Sequence, residues 1–246
     1  MLSEQRQEMI LRLQQEQGSV TVPQIREVLG VSESTIRRDI TELDKAGKLT
    51  KVFGGAMPYT GAFNTKELSV EQKRLVHQQE KRDVARRAAA LIEPGDFVYL
   101  DAGTTTGCLI DCLTHKEATF VTNAVDHARR LAVAGHRVFL VGGELRGTTE
   151  AVVGSQAILT LQTYHFTKGF FGTNGISRRD GLTTPDEGEG MVKRCALRRC
   201  KERYVLADAS KFGVVNTVCF GLLEDVTVIT DEVPDGYRQM DHLILA

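Results

Sequence analysis

The sequence predicts an α/β protein with two domains, a small helical domain followed by a larger one built on a largely parallel sheet. In the first 57 residues, apolar residues recur at helical spacing, and a short alternating stretch with a Gly-Gly turn follows them. From about residue 80, apolar runs of strand length alternate with helical stretches, which is typical of a parallel sheet with helices on both faces. We therefore expect domains at 1–57 and 80–246, joined by a linker at 58–79 that contains part of a helix.

Composition limits the functions that the chain can have. The 246 residues include 31 basic and 32 acidic ones, so no overall charge points to nucleic acid or to a membrane surface. The N-terminal stretch is polar and helix-periodic, and no apolar run approaches the roughly 18 residues of a membrane span. Five cysteines without disulfide-type spacing fit a reducing compartment. We expect a cytoplasmic protein with no membrane contact, no cofactor and no metal site.

Two helices are predicted before residue 31. The first runs from about Gln5 to Gln17 and ends at Gly18, with an apolar stripe made by Met9, Ile10 and Leu13. After a short β-like step, "SVTV", Pro23 suits the first turn of a second helix that Gly30 closes. Its apolar residues are Ile25, Val28 and Leu29.

A third helix carries the most informative pattern of this domain. Ser32 is a good N-cap, and the helix is expected to run to about Ala46, before Gly47. Its inward residues are Ile36, Ile40 and Leu43. The opposite face holds cations and hydroxyls but no acid, from Ser34, Arg37, Arg38, Thr41 and Lys45. Asp39 and Glu42 are expected at the sides of that face.

The stretch "KLTKVFGGAM" alternates around a Gly-Gly turn and predicts a short β-hairpin. With the three helices it makes a winged helix-turn-helix, in which Lys48 and Lys51 would touch the DNA backbone. Arginine on the third helix suits base edges and phosphates. The alternative is a solvated surface helix beside a hairpin, because charge runs usually indicate solvation. The agreement of helix lengths, turn, cap, basic face and hairpin favours DNA binding.

The second domain carries polar residues where its predicted strands end. The strands are "FVYLD", "TFVTN", "RVFLVGG", "GFFGTNG", "RYVLAD" and "VTVITD". Polar or glycine residues follow most of them: Asp101 with 104–106, Thr122 with Asn123, Gly142 with Gly143, Thr173 with Asn174, and Asp208 with Lys211. In open α/β sheets ligands bind at this edge. The pattern predicts a pocket for a small, polar, anionic ligand.

The turn in "YLDAGTTTGCL" is suited to hold an anion, because it brings bare backbone N–H groups and hydroxyls to a helix start. Such a turn serves a kinase, a sugar-phosphate isomerase or a sensor. The kinase needs a second D-x-G loop in a duplicated domain, and about 165 residues after the linker are too few for one. Cys108 and Cys112 lie one helical turn apart without a third ligand, so core thiols are favoured over a metal site.

The stretch "SESTIRRDITELDKAGKLTKVFGGAM" resembles the DNA-binding signature of the DeoR family of bacterial sugar-metabolism regulators, S-x-x-T-I-R-R-D-L followed by a wing and G-G-A. Ile40 stands where the family has leucine. The resemblance implies that the residues meeting a double-stranded operator include Ser34, Thr35, Arg37 and Arg38. Since one helix-turn-helix makes few contacts, we expect a homo-oligomer, a dimer or a tetramer.

The second domain resembles the DeoR-family sensor domain in "DAGTTT", "VTN", "GGELRG", "FFGTNGI", "GLTTPDEGE" and "LADASKFG", in that order. The resemblance implies a fold similar to ribose-5-phosphate isomerase and a phosphorylated sugar as effector. Within the family, the motifs are most similar to the fructose operon repressors of Gram-positive bacteria, which fructose 1-phosphate controls. Two positions depart from the family pattern: Gly190 replaces an alanine, and Thr167 stands where an aspartate of the pocket is common.

The effector site expected from these motifs comprises Asp101, Gly103, Thr104, Thr105, Thr106, Asn123, Asn174, Glu189 and Lys211. The phosphate would lie on residues 103–106, and the sugar hydroxyls near Asn123, Asn174, Glu189 and Lys211. An isomerase would need a carboxylate to move a proton between adjacent carbons. Asn174 and Gly175 stand where the isomerase has its acids, so binding without turnover is favoured over an isomerase fused to a DNA-binding domain.

Overall fold

The structure is a computed structural model that describes residues 2–17, 20–46, 48–52, 54–58 and 69–246. The chain forms two compact units, 1–63 and 64–246. After the functions that the sequence predicts for them, we call the first the DNA-binding unit and the second the sensor unit. Gly18, Gly47 and residues 59–68 of the expected linker lie outside the described residues.

Three helices form most of the DNA-binding unit: α1 (Ser3–Gln17), α2 (Val22–Leu29) and α3 (Glu33–Lys45). Local signals determine their ends, as the sequence predicts. Pro23 lies in the first turn of α2, and Gly30 ends this helix at φ +65°, in the left-handed region that glycine tolerates. At the start of α3, the Ser32 hydroxyl accepts the Thr35 N–H at 3.3 Å.

Two residues expected in apolar stripes lie outside the core. Val28 is 52 % exposed and Met9 is 37 % exposed. In α2 the buried residues are Val22, Ile25 and Leu29, and Val28 falls to one side of that stripe. In α1 the inward face includes Ile10 and the polar residues Arg6 and Gln14.

A small antiparallel sheet completes the DNA-binding unit. Its strands are β1 (Val20–Thr21), β2 (Leu49–Val52) and β3 (Gly55–Pro58), in the order β1-β3-β2. The β2–β3 hairpin is the predicted wing. Glycine is required at Gly55, since a Cβ there would lie 2.1 Å from the Val20 carbonyl oxygen of β1.

A buried ion pair joins α1 to α3. Arg6 Nε lies 2.5 Å from Asp39 Oδ2, and Arg6 Nη2 lies 2.9 Å from Asp39 Oδ1, a two-pronged geometry. Asp39 was expected at the side of the basic face, but it is fully buried. The expectation was wrong because Arg6, which lies 33 residues earlier in the chain, supplies the compensating charge. The pair holds α3 against α1.

Seven strands form the central sheet of the sensor unit, and every neighbouring pair is parallel. The spatial order is β15-β14-β12-β9-β4-β5-β6. The strands are β4 (Phe97–Leu100), β5 (Thr119–Thr122), β6 (Arg137–Leu140), β9 (Phe166–Gly172), β12 (Cys200–Leu206), β14 (Thr227–Thr230) and β15 (Leu243–Leu245). Six of them were predicted, which confirms the largely parallel α/β fold; β15 was not.

Helices cover both faces of this sheet, as predicted. They are α4 (Val70–Leu75), α5 (Gln78–Ala89), α6 (Thr104–Ile110), α7 (Val125–Val133), α8 (Ser155–Gln162) and α9 (Glu187–Arg198). Alternate strand residues point to opposite faces. Val98 and Leu100 join a core with α5, α6 and α7, whereas Tyr99 joins one with α8 and α9. Among the described helices, none combines the length and apolar character needed to cross a membrane.

Two smaller elements of the sensor unit were not predicted. One is a hairpin of β7 (Glu144–Leu145) and β8 (Val152–Val153), and the other is an antiparallel sheet of β10 (Gly175–Ser177), β11 (Gly181–Thr184) and β13 (Val218–Gly221). Their strands are short and lack clean alternation. The first helix, α4, and the start of α5 lie within the expected linker at 58–79.

Replacing Asp39 by asparagine should loosen the DNA-binding unit, because Arg6 keeps its charge in a buried position without a carboxylate. We expect faster amide hydrogen exchange in peptides covering α1 and α3 of the full chain. Glu8→Gln is the matched control, since Glu8 is an exposed acid of α1. Equal exchange in the two variants would show that the ion pair does not hold the helices together.

Candidate nucleic-acid interface and ligand cavity

The two arginines predicted to contact DNA are exposed on α3. The Arg37 side chain is 57 % exposed and the Arg38 side chain 69 %. Arg37 Nη2 lies 3.4 Å from Glu33 Oε2, and Arg38 Nε lies 3.9 Å from Glu42 Oε1. The basic face of α3 is therefore bordered by two acids, Glu33 and Glu42, of which the sequence analysis named Glu42. Exposed pairs at this spacing contribute little, so a phosphate or base edge can replace the glutamate.

The wing and α3 share one surface. Lys51 Nζ donates to Thr41 Oγ1 at 2.9 Å, and the Thr41 hydroxyl donates to the Arg37 carbonyl oxygen at 2.7 Å. Lys48 is exposed beside the hairpin. Lys45 ends α3, and its side chain lies outside what the structure describes.

Ser34 and Thr35 lie at the start of α3, close to the Ser32 N-cap. The Ser32 hydroxyl oxygen is 2.9 Å from Ser34 Oγ and 2.8 Å from Thr35 Oγ1. Ser34 is exposed, whereas Thr35 is half-buried. The eight residues predicted to contact DNA thus lie on α3, on the wing or immediately before it.

In the sensor unit, a cavity of about 140 Å³ lies at the carboxyl ends of the neighbouring strands β12, β9 and β4. We call it the strand-end cavity. Of the nine residues expected at an effector site, six line it: Gly103, Thr104, Thr105, Asn174, Glu189 and Lys211. Further lining comes from lysines that the sequence analysis did not single out, Lys73, Lys81 and Lys193.

The remaining three expected residues do not line the strand-end cavity but hold its wall. The Thr106 hydroxyl donates to the carbonyl oxygens of Asp101 at 2.7 Å and Gly103 at 2.9 Å. Asn123 Oδ1 accepts from Tyr99 Oη at 3.0 Å and from the Ala102 N–H at 3.1 Å. Its Nδ2 donates to the Val152 carbonyl oxygen at 3.1 Å. These hydrogen bonds hold the 101–106 turn, so Thr106 and Asn123 support the wall of the cavity rather than line it.

Asp101 forms a buried ion pair with Lys193 of α9. Asp101 Oδ2 also accepts the Gly172 N–H at 3.0 Å, and Lys193 Nζ donates to the Gly172 carbonyl oxygen at 3.1 Å. Asp101 is 1 % exposed and Lys193 is 4 % exposed. The pair therefore joins the end of β4, the end of β9 and α9 at one point. The only sequence signal for Lys193 is its position four residues after Glu189.

Glu189 enters the strand-end cavity with its carboxylate already engaged. Arg146 Nη1 lies 2.7 Å from Glu189 Oε1, and the Thr149 hydroxyl donates to the same oxygen. The Glu189 N–H donates to Asp186 Oδ1 at 2.8 Å, which caps α9. Because Arg146 compensates its charge, Glu189 anchors the 146–149 segment beside the cavity.

Lys81 is a buried cation that also lines the strand-end cavity. Its ammonium donates to the carbonyl oxygens of Lys73 and Val76, the latter at 2.7 Å. Burial lowers the pKa of Lys81 below its ordinary value. Lys211 is more open, with Nζ 3.9 Å from Asp208 Oδ2. Apart from Glu189, whose charge Arg146 compensates, the charged residues that line the cavity are lysines, which is suited to an anionic ligand.

Three residues noted in the sequence, Gly142, Gly143 and Thr167, lie away from the strand-end cavity. Gly142 and Gly143 follow the edge strand β6, and a Cβ at Gly143 would lie 2.4 Å from the Val153 carbonyl oxygen, so this glycine serves the β7–β8 hairpin. Thr167 lies near the amino end of the central strand β9, whereas the cavity lies at the carboxyl ends of the strands. Its hydroxyl donates to Asp96 Oδ1 at 2.8 Å. An aspartate at position 167 would not be a carboxylate of the cavity.

A second cavity of about 180 Å³ lies on the other side of Gly103 and Thr104. Its charged lining is paired internally: Arg74 Nη2 is 3.2 Å from Asp126 Oδ2, and Arg130 Nη2 is 2.7 Å from Asp111 Oδ1. His127 lies in its wall, and burial lowers the pKa of this imidazole to about 4, so it is neutral at pH 7. This cavity offers both donors and acceptors rather than an excess of positive charge.

At two glycine positions, Gly175 and Gly190, neighbouring atoms leave no room for a side chain. A Cβ at Gly175 would lie 2.3 Å from the Val214 carbonyl oxygen, so no carboxylate fits at this position. A Cβ at Gly190 would lie 2.6 Å from Val218 Cγ1. The family's alanine at position 190 thus requires a different neighbour from Val218.

Four of the five cysteines pack with apolar residues, and Cys219 is exposed. Cys108 and Cys112 contact the core between α5 and the sheet, and burial raises the pKa of both thiols. Burial raises the pKa of Cys200 to about 12. Over the described ranges, no three histidine, cysteine, aspartate or glutamate side chains are placed together to hold a metal ion.

Both units match models of one family of transcriptional regulators. Residues 6–60 match the DeoR-like helix-turn-helix domain, and residues 76–232 match the DeoR C terminal sensor domain. The chain therefore belongs to the DeoR family. It is 35 % identical to the uncharacterized HTH-type transcriptional regulator FruR of Bacillus subtilis over 97 % of this chain and 96 % of that protein. It is 38 % identical to a lactose phosphotransferase system repressor of Staphylococcus epidermidis, over 90 % of this chain and 89 % of that one.

Solved structures show more distant similarity. Ribose 5-phosphate isomerase A from Methanocaldococcus jannaschii aligns with a TM-score of 0.41 and 16 % identity, over 55 % of this chain and 54 % of that one. The full-length sorbitol operon regulator SorC from Klebsiella pneumoniae aligns with a TM-score of 0.39 and 14 % identity, over 86 % of this chain and 95 % of that one.

Replacing Lys193 by methionine should destabilise the sensor unit by about 3–5 kcal/mol, because the Asp101 carboxylate stays buried without its cation. The double variant Asp101→Asn, Lys193→Met should lose less than the sum of the single variants. Urea unfolding followed by tyrosine fluorescence measures this, since four of the five tyrosines, Tyr99, Tyr164, Tyr204 and Tyr237, lie in the sensor unit. Lys201→Met, at an exposed lysine of β12, is the control. Additive losses would mean that the two charges do not act as a pair.

Proposed function

We propose that the chain represses a sugar-catabolism or sugar-uptake operon and that a phosphorylated sugar in the strand-end cavity relieves the repression. Fructose 1-phosphate is the first effector to test, because the motifs are most similar to fructose operon repressors. The match to a regulator named FruR supports this choice. Lactose phosphotransferase system repressors match at comparable identity, which supports a sugar-linked role and makes other sugar phosphates the comparison set.

The observation that carries the proposal is the composition of the strand-end cavity. Thr104 and Thr105 bring their hydroxyls and the start of α6 to the cavity, and the lysines Lys81 and Lys211 line the same space. Phosphate oxygens are bound by this combination of donors. Asn174 and the Arg146-compensated Glu189 are left for the sugar hydroxyls. This revises the expected arrangement, in which Asn123 contacted the sugar.

In this proposal the DNA-binding unit binds the operator. We propose that α3 enters the major groove, with Arg37 and Arg38 on base edges or phosphates and Lys48 and Lys51 on the backbone of the operator. One such unit makes few contacts, so two copies in a homo-oligomer read two half-sites. The effector must bind one arrangement of the oligomer more tightly than the other, because equal binding shifts nothing.

We further propose that the sensor unit binds its sugar phosphate without converting it. Isomerisation requires a carboxylate free to move a proton. Asp101 is held by Lys193 and the Gly172 N–H, and Glu189 by Arg146 and Thr149. Position 175 is closed to any side chain. The alternative, an isomerase-like enzyme fused to a DNA-binding domain, predicts turnover of whichever sugar phosphate binds.

Replacing Arg37 and Arg38 together by alanine should weaken operator binding about a hundredfold or more, because each guanidinium contact to a base contributes about 1–3 kcal/mol. Binding is measured by fluorescence anisotropy on a duplex selected from random sequences by the wild-type protein, at fixed salt concentration. Arg179→Ala removes a 91 % exposed arginine of the sensor unit and is the control. Wild-type affinity in the double variant would rule out α3 as the recognition helix.

Thermal shifts with a panel of sugar phosphates, fructose 1-phosphate included, test the effector site. Thr105→Glu should weaken the binding of any hit about a hundredfold or more, because a carboxylate would face the phosphate. Gln156→Glu adds the same charge at an exposed position of α8 and should leave binding unchanged. Each hit is also incubated with the protein and examined for conversion. Turnover would support the enzyme, and unchanged binding to Thr105→Glu would place the effector elsewhere.

A further inference from the structure

The first helix of the sensor unit, α4, is held in place by a small set of polar contacts. It has six residues, none of them buried, and Leu75 is 75 % exposed. An isolated helix of this length is not stable in water. The Val70 N–H donates to the Thr148 carbonyl oxygen at 3.3 Å, and Arg74 pairs with Asp126 at 3.2 Å. In chain order α4 is the first described helix after the DNA-binding unit.

The contact at the C-terminal end of α4 is made by Lys81. His77 adopts a left-handed conformation, at φ +52°, in the turn between α4 and α5. The turn lets Lys81 of α5 reach back, and its ammonium donates to the carbonyl oxygens of Lys73 and Val76. Carbonyl oxygens at a helix end have no partner within the helix, and a cation there is favourable.

The same ammonium borders the strand-end cavity, together with Thr104 and Thr105. A lysine ammonium has three N–H donors, and the two carbonyl oxygens use two of them. No carboxylate is among its hydrogen-bond partners in the part of the chain that the structure describes, although Lys81 is 5 % exposed. Asp208 interacts with this ammonium electrostatically but is not among its hydrogen-bond partners, so one N–H is left for an anion in the adjacent space.

We propose that Lys81 couples the strand-end cavity to α4: an anionic group of the ligand takes the third N–H of the ammonium whose other two hold the end of α4. Occupancy of the cavity then tightens the docking of α4 on the sensor unit. By linkage, a docked α4 raises the affinity of the cavity for the anion by the same factor. This rests on the proposed function in one respect, that the ligand carries a phosphate.

The coupling has a consequence for signalling. Since α4 lies next after the DNA-binding unit along the chain, its docking changes how much of the connecting chain is held on the sensor unit. Ligand binding in the cavity thereby changes the docking equilibrium of α4, the helix that connects the sensor unit to the chain segment leading from the DNA-binding unit. A helix that is only marginally docked without ligand is suited to this role, because a few kcal/mol can shift its population strongly.

Amide hydrogen exchange of peptides covering residues 70–76 in the full chain tests the proposal, with and without inorganic phosphate or fructose 1-phosphate. Without ligand, Lys81→Met should exchange about tenfold faster in α4 than the wild type, since charge-assisted hydrogen bonds are lost. Ligand should slow exchange in α4 of the wild type and of the control Lys201→Met, but not of Lys81→Met. Lys81→Arg keeps the charge and should restore part of the response.

The outcomes separate this inference from the function on which it rests. Binding of ligand to Lys81→Met at raised concentration, with α4 protected as in the wild type, would overturn the coupling and leave the sensor function standing. Absence of binding by every phosphate compound to the wild type would overturn both. Wild-type exchange in α4 of ligand-free Lys81→Met would show that Lys81 does not hold the helix.

Discussion

The sensor unit depends on one buried ion pair, Asp101 with Lys193. Two charges removed from water are costly, and they persist only where each compensates the other and the remaining hydrogen-bonding groups are satisfied. Here the Gly172 N–H and carbonyl oxygen complete the set. The pair joins the ends of two neighbouring strands to α9, and the turn that follows Asp101 is thereby placed at the edge of the sheet. The cavity wall is a consequence of that placement.

A buried ion pair also positions the helices of the DNA-binding unit. Arg6 and Asp39 are buried between α1 and α3, and this orients the face of α3 that carries Arg37 and Arg38. In both units, an ionic contact that is hidden from solvent determines the position of residues that we propose as ligand contacts. Acids that a catalytic site would need are used as structural partners: Asp101 holds Lys193, and Glu189 holds Arg146. The arrangement favours binding over chemistry.

Much of the fold could be predicted because its signals are local. Pro23, Gly30 and Ser32 act within one turn of their own helices, and six strands are apolar runs long enough to be recognised. Seen from the sequence, Lys81 and Lys193 resemble solvated charges on polar helices, because burial depends on which neighbours pack against them. Asn123 shows the converse: a polar residue at a strand end was expected to contact the ligand, but Tyr99 and two backbone groups use its amide.

The sequence by itself determined that this chain joins a winged helix-turn-helix to a parallel α/β domain, and that it belongs to a family of regulators. These properties follow from periodicity, caps and motifs, each of which spans a few consecutive residues. Only the tertiary structure decided which strand-end residues line the cavity and which ones support its wall. It also placed the Lys81 ammonium between α4 and the cavity. Such decisions require the distances between groups far apart in the chain, since the cost of burying a charge depends on the partner that packing brings to it.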